Sequence, residues 1–191
     1  TFGRGGKADS STLAGLCGAR GVAVSVAKAV MVGGTPVSST RIRGLLEAGR
    51  AGEAAKLLGR PFGYCMPVRR GRRLGHSLGT PTLNQELPKG FVQPKFGVYV
   101  SQVLVENQRY AGVTNVGVKP TVGSDQPLSE TWMPDYRGGE LYGRTVRVEL
   151  LRFLRPERRF PTLEDLRAQI LRDGAQAREF FSQDVSAARR I

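Results

Sequence analysis

The chain has 191 residues, 40% of them hydrophobic, and carries 29 Lys and Arg against 16 Asp and Glu, a formal charge of +13. That is enough length for one domain and part of another, enough apolar content for a packed core, and a charge that attracts polyanions: nucleotides, phosphorylated substrates or nucleic acid. There is no apolar run of the ~18 residues a membrane helix needs, and with two distant cysteines (Cys17, Cys65) and one histidine (His76) the chain excludes a Cys-x-x-Cys motif, a two-histidine metal motif and an H-x-G-H nucleotidyl-transfer motif.

The first residues, TFGRGGKADSS, have neither an apolar signal core nor an initiating Met. A piece of a longer chain, in a reducing cytoplasmic setting, is expected. GRGGK at Gly3–Lys7 does not complete a phosphate loop, because Thr1 stands where a Gly is needed and Ala8 where Ser or Thr is needed. A short helix should follow, capped by Ser10 or Ser11 and closed near Gly21. Residues 22–34, VAVSVAKAVMVGG, read as one or two buried strands of a parallel sheet covered on both faces. Two short helices are predicted over 38–59. Ser38 and Ser39 precede Ile42, Leu45 and Leu46, and Gly49 and Gly59 supply the stops. Residues 1–59 are thus an α/β remnant with linker helices, and 60–191 a second domain.

From Phe62 the apolar period changes to two. FGYCMPV, GVYVSQVLVE, YAGVTNVGV, LSETWM and RTVRVELLRFL are strand candidates separated by Gly, Pro, Asn and Asp turns. They predict an antiparallel barrel or sandwich. The end is helical: Thr162 and Asp165 lie near capping-box spacing, and Leu163, Leu166, Ile170, Ala177 and Phe181 form a stripe that should pack on the strands. Gly174 should weaken that helix by up to ~1 kcal/mol relative to Ala.

Three stretches could carry chemistry. GHSLGTPTLN, residues 75–84, sets two glycines and a proline among small hydroxyl and amide groups. Such groups serve turns, and they also ligate hard cations and touch phosphate. GVTNVGVKPT, residues 112–121, carries a second Pro-Thr pair, and SETW places Glu130 between apolar strand residues ahead of Leu141-Tyr142-Gly143. Taken alone, Glu130 reads as a solvated strand residue, and the Arg69–Arg73 patch as a solvated loop.

In this order and spacing, the pieces LGRPF, G(x3)G(x3)GTPTLN, GVY, GVTNVGVKPT, SETW, LYG and RFLRPERRFPTLEDLRAQILRD resemble bacterial riboflavin kinase. The upstream TFGRGGKAD and GGTPVSSTRIRGLLEAG are similar to the tail of the FMN adenylyltransferase module that precedes the kinase in bifunctional FAD synthetase. The resemblance covers almost the whole chain. It implies a mainly β fold, a small closed Greek-key antiparallel barrel with a C-terminal helix, preceded by an α/β remnant of a nucleotidyltransferase domain. It also implies transfer of the ATP γ-phosphate to the riboflavin 5′-hydroxyl, giving FMN and ADP, with Mg²⁺ as the metal.

Carried over by motif, Glu130 is the catalytic base. Gly75, Gly79, Thr82 and Asn84 meet the nucleotide, Thr82 and Asn84 also hold the metal, and Asn115, Thr121 and Trp132 meet the substrate. The chemistry is consistent with those roles. Phosphoryl transfer needs positioning and charge neutralisation more than covalent help, and uncharged oxygen donors leave room for the charge that metal and ATP bring. Three positions depart from the family pattern: Trp132 where His is frequent, His76 where a basic residue is frequent, and Thr80 where an aromatic is common. The adenylyltransferase activity is not expected of this chain, nor are specific nucleic acid or membrane partners. The rival reading is a non-catalytic basic β-barrel that binds nucleic acid. It is weakened by an aromatic content of 7% and by the absence of a strand alternating aromatic and basic residues.

Overall fold

The computed structural model describes residues 2–71, 79–118 and 127–188. The chain divides into two compact units, Thr1–Val37 and Ser38–Ile191.

In the first unit, after a short 3-10 turn at Arg4–Gly6, the α-helix α1 (Ser10–Gly18) starts one residue earlier than the serines suggest. Its cap is Asp9, whose carboxylate accepts from the Thr12 backbone N–H at 2.9 Å and from the Ser11 and Thr12 hydroxyls. The backbone hydrogen bond, with the two hydroxyls behind it, pulls the Asp9 pKa down to about 2. The buried parallel strands expected over 22–34 are not present. Residues 22–30 form no strand, and Val22, Val26 and Val30 are 54%, 59% and 67% exposed. Only a small antiparallel hairpin forms, β1 (Met31–Val32) on β2 (Thr35–Pro36). Apolar, β-branched residues supply propensity alone, and a strand also needs neighbours on which to spend its hydrogen bonds.

The second unit opens with α2 (Ser39–Glu47), where the Ser38 hydroxyl accepts from the Arg41 N–H at 3.2 Å, and α3 (Ala51–Leu58), which ends on Gly59 in the left-handed region at φ 68°. Leu46, Ala51 and Ala54 are buried, and α3 lies against the strands β3 and β8 defined next. Six strands make one antiparallel sheet: β3 (Phe62–Pro67), β4 (Thr82–Glu86), β5 (Gly97–Val105), β6 (Gln108–Val118), β7 (Pro127–Trp132) and β8 (Thr145–Arg155). Their order is β3-β8-β5-β6-β7-β4. The last strand thus returns between β3 and β5, and β4 lies outside β7.

The expected closed barrel is realised as a curled sheet. Among the described residues its end strands β3 and β4 share no ladder; just beyond β3, the Arg69 N–H bridges to the Asn84 carbonyl at 2.7 Å. Gln85 stitches the same seam from inside, its Nε2 donating to the carbonyls of Met66 (2.7 Å) and Val146 (2.8 Å). Register shifts between β5 and β8 at Val98/Tyr99 and Val100/Ser101 add curvature.

The period of two sorts the side chains into two cores. The inner face buries Tyr64, Leu83, Tyr99, Val103, Val116, Val148 and Leu150. Polar inner residues pair with one another: Tyr64 with Ser129, and Thr114 with Ser101 and Thr131. The outer face carries Val98, Val100, Val113 and Trp132, covered by Ile170, Ala177 and Phe180 of the last helix, α4 (Leu163–Ala188). The Thr162 hydroxyl caps α4, accepting from the Asp165 N–H at 3.1 Å. Leu163, placed in the apolar stripe by its spacing, is 54% exposed instead. A buried ion pair ties α4 to the sheet: Arg155 Nη2 donates to Asp173 Oδ2 at 2.7 Å, and Asp173 is 1% exposed.

Candidate active site

The outer face of β4, β7 and β6 brings together residues that the sequence scatters. In the ladder, Asn84 of β4 stands opposite Glu130 of β7, and Glu130 stands opposite Asn115 of β6. The adjacent row is Thr82, Trp132 and Val113. Residues directly opposite in an antiparallel pair point to the same face, their β-carbons about 4.5–5.5 Å apart. Five of the predicted site residues therefore occupy two neighbouring rows on one face, the face that also carries α4. Strand alternation does this: 82 and 84, 130 and 132, and 113 and 115 all point outward while Leu83, Thr131 and Thr114 point inward.

Asn84 is 6% exposed, with Gly71 crossing over its amide. A β-carbon at Gly71 would lie 2.5 Å from Asn84 Nδ2, so only glycine fits there. Gly79 adopts φ 71° with open space around it. Asn115 donates from Nδ2 to Glu157 Oε1 at 2.8 Å, while its Oδ1 is buried without a hydrogen-bond donor among the described residues. Trp132 is 8% exposed, packed under α4, where Gly174 faces its ring. Gly75, Thr121 and His76 lie outside the described residues, as do Arg72 and Arg73 of the basic patch.

Beside Thr82 opens a cleft of about 200 Å³, lined by Val68, Pro81, Met133, Tyr136, Leu141 and Tyr142 among others. The Arg70 guanidinium lies over the Tyr142 ring, 5.3 Å from its centroid. An apolar cleft with a stacked cation, next to a hydroxyl and an amide, suits a flat aromatic group carrying a phosphate tail. The described residues hold no cluster of three or more His, Cys, Asp or Glu that could bind a metal unaided. The Thr82 hydroxyl and the Asn84 amide oxygen are neutral, hard donors. They fit a cation that reaches the site together with phosphate oxygens.

Glu157 escapes the sequence reading. It sits in the connector RPERRF, whose charges look solvated, and only the fold lays it over Gly117 and Asn115. The signal available in the sequence was Gly117 itself, a glycine inside a β-strand run near its end.

The riboflavin kinase family model (Flavokinase) matches residues 58–181. A bifunctional riboflavin kinase/FMN adenylyltransferase of Pseudomonas fluorescens is 41% identical over 160 residues, 83% of this chain and 51% of that protein. The protein of the same description from Escherichia coli K12 is 40% identical over 150 residues, 78% of this chain and 47% of that one. The chain thus spans about half the length of the curated relatives it matches. Among solved structures, one described as a macrolide-efflux protein from Streptococcus pneumoniae superposes with a TM-score of 0.79 at 30% identity, over 93% of this chain and 57% of that one. No helix among the described residues is long and apolar enough to cross a membrane.

Proposed function

The chain belongs to the riboflavin kinase family, and from that membership we propose that it transfers the γ-phosphate of ATP to the ribityl 5′-hydroxyl of riboflavin, giving FMN and ADP. The observation that carries the reading is the cross-strand row Asn84, Glu130, Asn115 with Thr82 in the next row. It sets the Glu130 carboxylate between two amides, with the Thr82 hydroxyl of the next row lining a largely apolar cleft.

Glu130 accepts the proton of the attacking hydroxyl as the new phosphorus–oxygen bond forms. Thr82 and Asn84 orient the nucleotide phosphates and would hold a divalent cation, Mg²⁺, jointly with them. When bound, that cation neutralises charge on the transferring phosphoryl group. Gly79 allows close approach of backbone to phosphate, with Gly75 and Thr121 in the neighbouring segments of the motif. Trp132 forms the wall behind Thr82 and sets the distance between the row and α4. Asn115 shares the row with the base. The whole-length relatives carry a second activity in their names. An FMN adenylyltransferase site using H-x-G-H needs two histidines and this chain has one, so FAD is not an expected product of this chain. A nucleic-acid platform draws no support from the aromatic residues Tyr64, Tyr99 and Trp132, which are buried and so not presented for stacking.

The test is to incubate the purified chain with riboflavin and Mg-ATP and to separate riboflavin, FMN and FAD. FMN alone should accumulate. Glu130→Gln keeps the shape and removes the proton acceptor, so turnover should fall by roughly 10²–10⁴ with the KM for ATP little changed. Turnover near the parent value would remove Glu130 from the mechanism.

A further inference from the structure

Glu157 has no task in the reaction as described so far, yet it is fixed in the row. Its Oε1 accepts from Asn115 Nδ2 at 2.8 Å, and its carboxylate fills the space over Gly117, where a β-carbon would collide with it. Its place is set from α4. Arg155, two residues earlier, is clamped by Asp173, which takes a further hydrogen bond from Gln169 Nε2 at 2.7 Å.

A carboxylate only accepts hydrogen bonds, so Glu157 can engage the donor prong of the Asn115 amide and never its oxygen. That decides which way the amide is turned. The remaining prong, Oδ1, is buried and has no donor among the described residues. A buried carbonyl without a donor is costly and calls for an explanation. The residue directly opposite Asn115 in the ladder is Glu130. A carboxylate that gains a proton becomes an O–H donor and needs an acceptor.

We propose that Glu157 and Asn115 are positioning residues for the proton step: Glu157 turns the Asn115 amide so that its Oδ1 accepts the hydrogen bond of the proton Glu130 acquires. The inference rests on the reading of Glu130 as the base. In the step, the riboflavin 5′-oxygen bonds to the γ-phosphorus. The bond from that phosphorus to the bridging oxygen breaks, its electron pair leaves with ADP, and the hydroxyl proton passes to Glu130 and then to solvent. Substrate binding does not depend on this hydrogen bond, because it forms only once the proton has moved.

The test compares FMN formation by the full chain and by E157A, E157Q, N115A and the double variant E157A/N115A, each checked for folding by far-UV circular dichroism. E157A and N115A should each lower kcat about tenfold, the scale of one hydrogen bond, and E157A, whose residue touches no substrate, should keep both KM values within about twofold of the parent. E157Q should recover most of the rate, since a glutamine oxygen still accepts. The double variant should be no slower than N115A. If E157A does not fold, E157M, which keeps the volume and removes the acceptor, takes its place in the same comparison. A merely structural anchor predicts raised KM values, an E157Q as impaired as E157A, or additive losses in the double variant, and any of these overturns the inference. If the parent makes FMN, Glu130→Gln is impaired and E157A and N115A are unaltered, this inference alone falls. A parent that makes no FMN overturns the kinase reading and the inference with it.

Discussion

Gly174→Ala should destabilise the protein although it places a better helix former in the middle of α4. The helix itself would gain up to ~1 kcal/mol from the change. The added methyl group, however, would lie 2.6 Å from Trp132 Cζ3, 3.0 Å from Cη2 and 3.4 Å from Pro134 Cγ. Ordinary carbon contacts are about 3.5–4.0 Å, so the ring or the helix must move by roughly 1 Å. The ring has nowhere to go. It is 8% exposed and packed with Val98, Val100, Val113 and Ala177. Forcing a methyl group into such a site costs about 1–3 kcal/mol, which outweighs the helix gain and leaves a net loss of roughly 1 kcal/mol. For a chain of this size that is about 2–4 °C in Tm. Trp132 is the single tryptophan of the chain, so its fluorescence reports on this contact directly, and urea midpoints by fluorescence and far-UV circular dichroism give the free energy. In a Trp132→Leu background the clash is gone, and the same Gly174→Ala change should then stabilise by up to ~1 kcal/mol. A Gly174→Ala midpoint at or above the parent, or an equal loss in both backgrounds, would refute the packing argument.

Thr82→Ala and Asn84→Ala should raise the KM for Mg-ATP more than the KM for riboflavin, measured by varying each substrate in turn; equal losses in a folded variant would mark a turn role instead. Deleting residues 1–36 should leave FMN formation intact and reduce light scattering, because Ser38–Ile191 is a compact unit by itself and Leu13, Leu16, Val22, Val26 and Val30 are exposed; loss of activity in a well-behaved truncation would contradict this. At alkaline pH, burial pushes the Tyr64 and Tyr99 phenols well above their ordinary value of 10.0. The unfolded chain releases those protons near pH 10 while the folded chain keeps them, so their contribution is complete below about pH 10 and is lost as pH rises above it. Urea midpoints between pH 8 and 11 should show the fall, and Tyr99→Phe should make it shallower.

How much of this is legible in the sequence depends on range. The strands announce themselves by a period of two, and the caps of α2 and α4 by Ser38 and Thr162, because both signals are local. Asp9, not Ser10 or Ser11, caps α1, because it is an equally good capping residue and stands just ahead of them. The strands read over 22–34 failed for the opposite reason: propensity is local, but pairing requires a partner strand. Asn84, Glu130 and Asn115 belong to motifs that could be recognised one by one. Their meeting in one row could not, because register is a relation between strands. Glu157 was invisible for the same reason. Gly174 looked like a defect until Trp132, a residue of another element, occupied the space its missing side chain leaves.

The strand order also sets a timetable. β3 starts at Phe62, but its ladder partner is β8, which starts at Thr145. A ribosome working from the N-terminus releases Phe-Gly-Tyr-Cys-Met-Pro, a strand without a charge, and takes roughly 4–17 s to make the segment that will pair with it. The α2–α3 hairpin arrives first and can shield side chains, but it offers no hydrogen bonds to the open backbone edge. Throughout that interval the edge is a template for any other nascent chain nearby. Translation stalled or terminated before Thr145 leaves it so permanently, even when every strand of the candidate site has been made. Leu150, which completes the ladder with β3 and lies well beyond the last residue of the Asn84–Glu130–Asn115 row, marks the length at which that edge finds its partner.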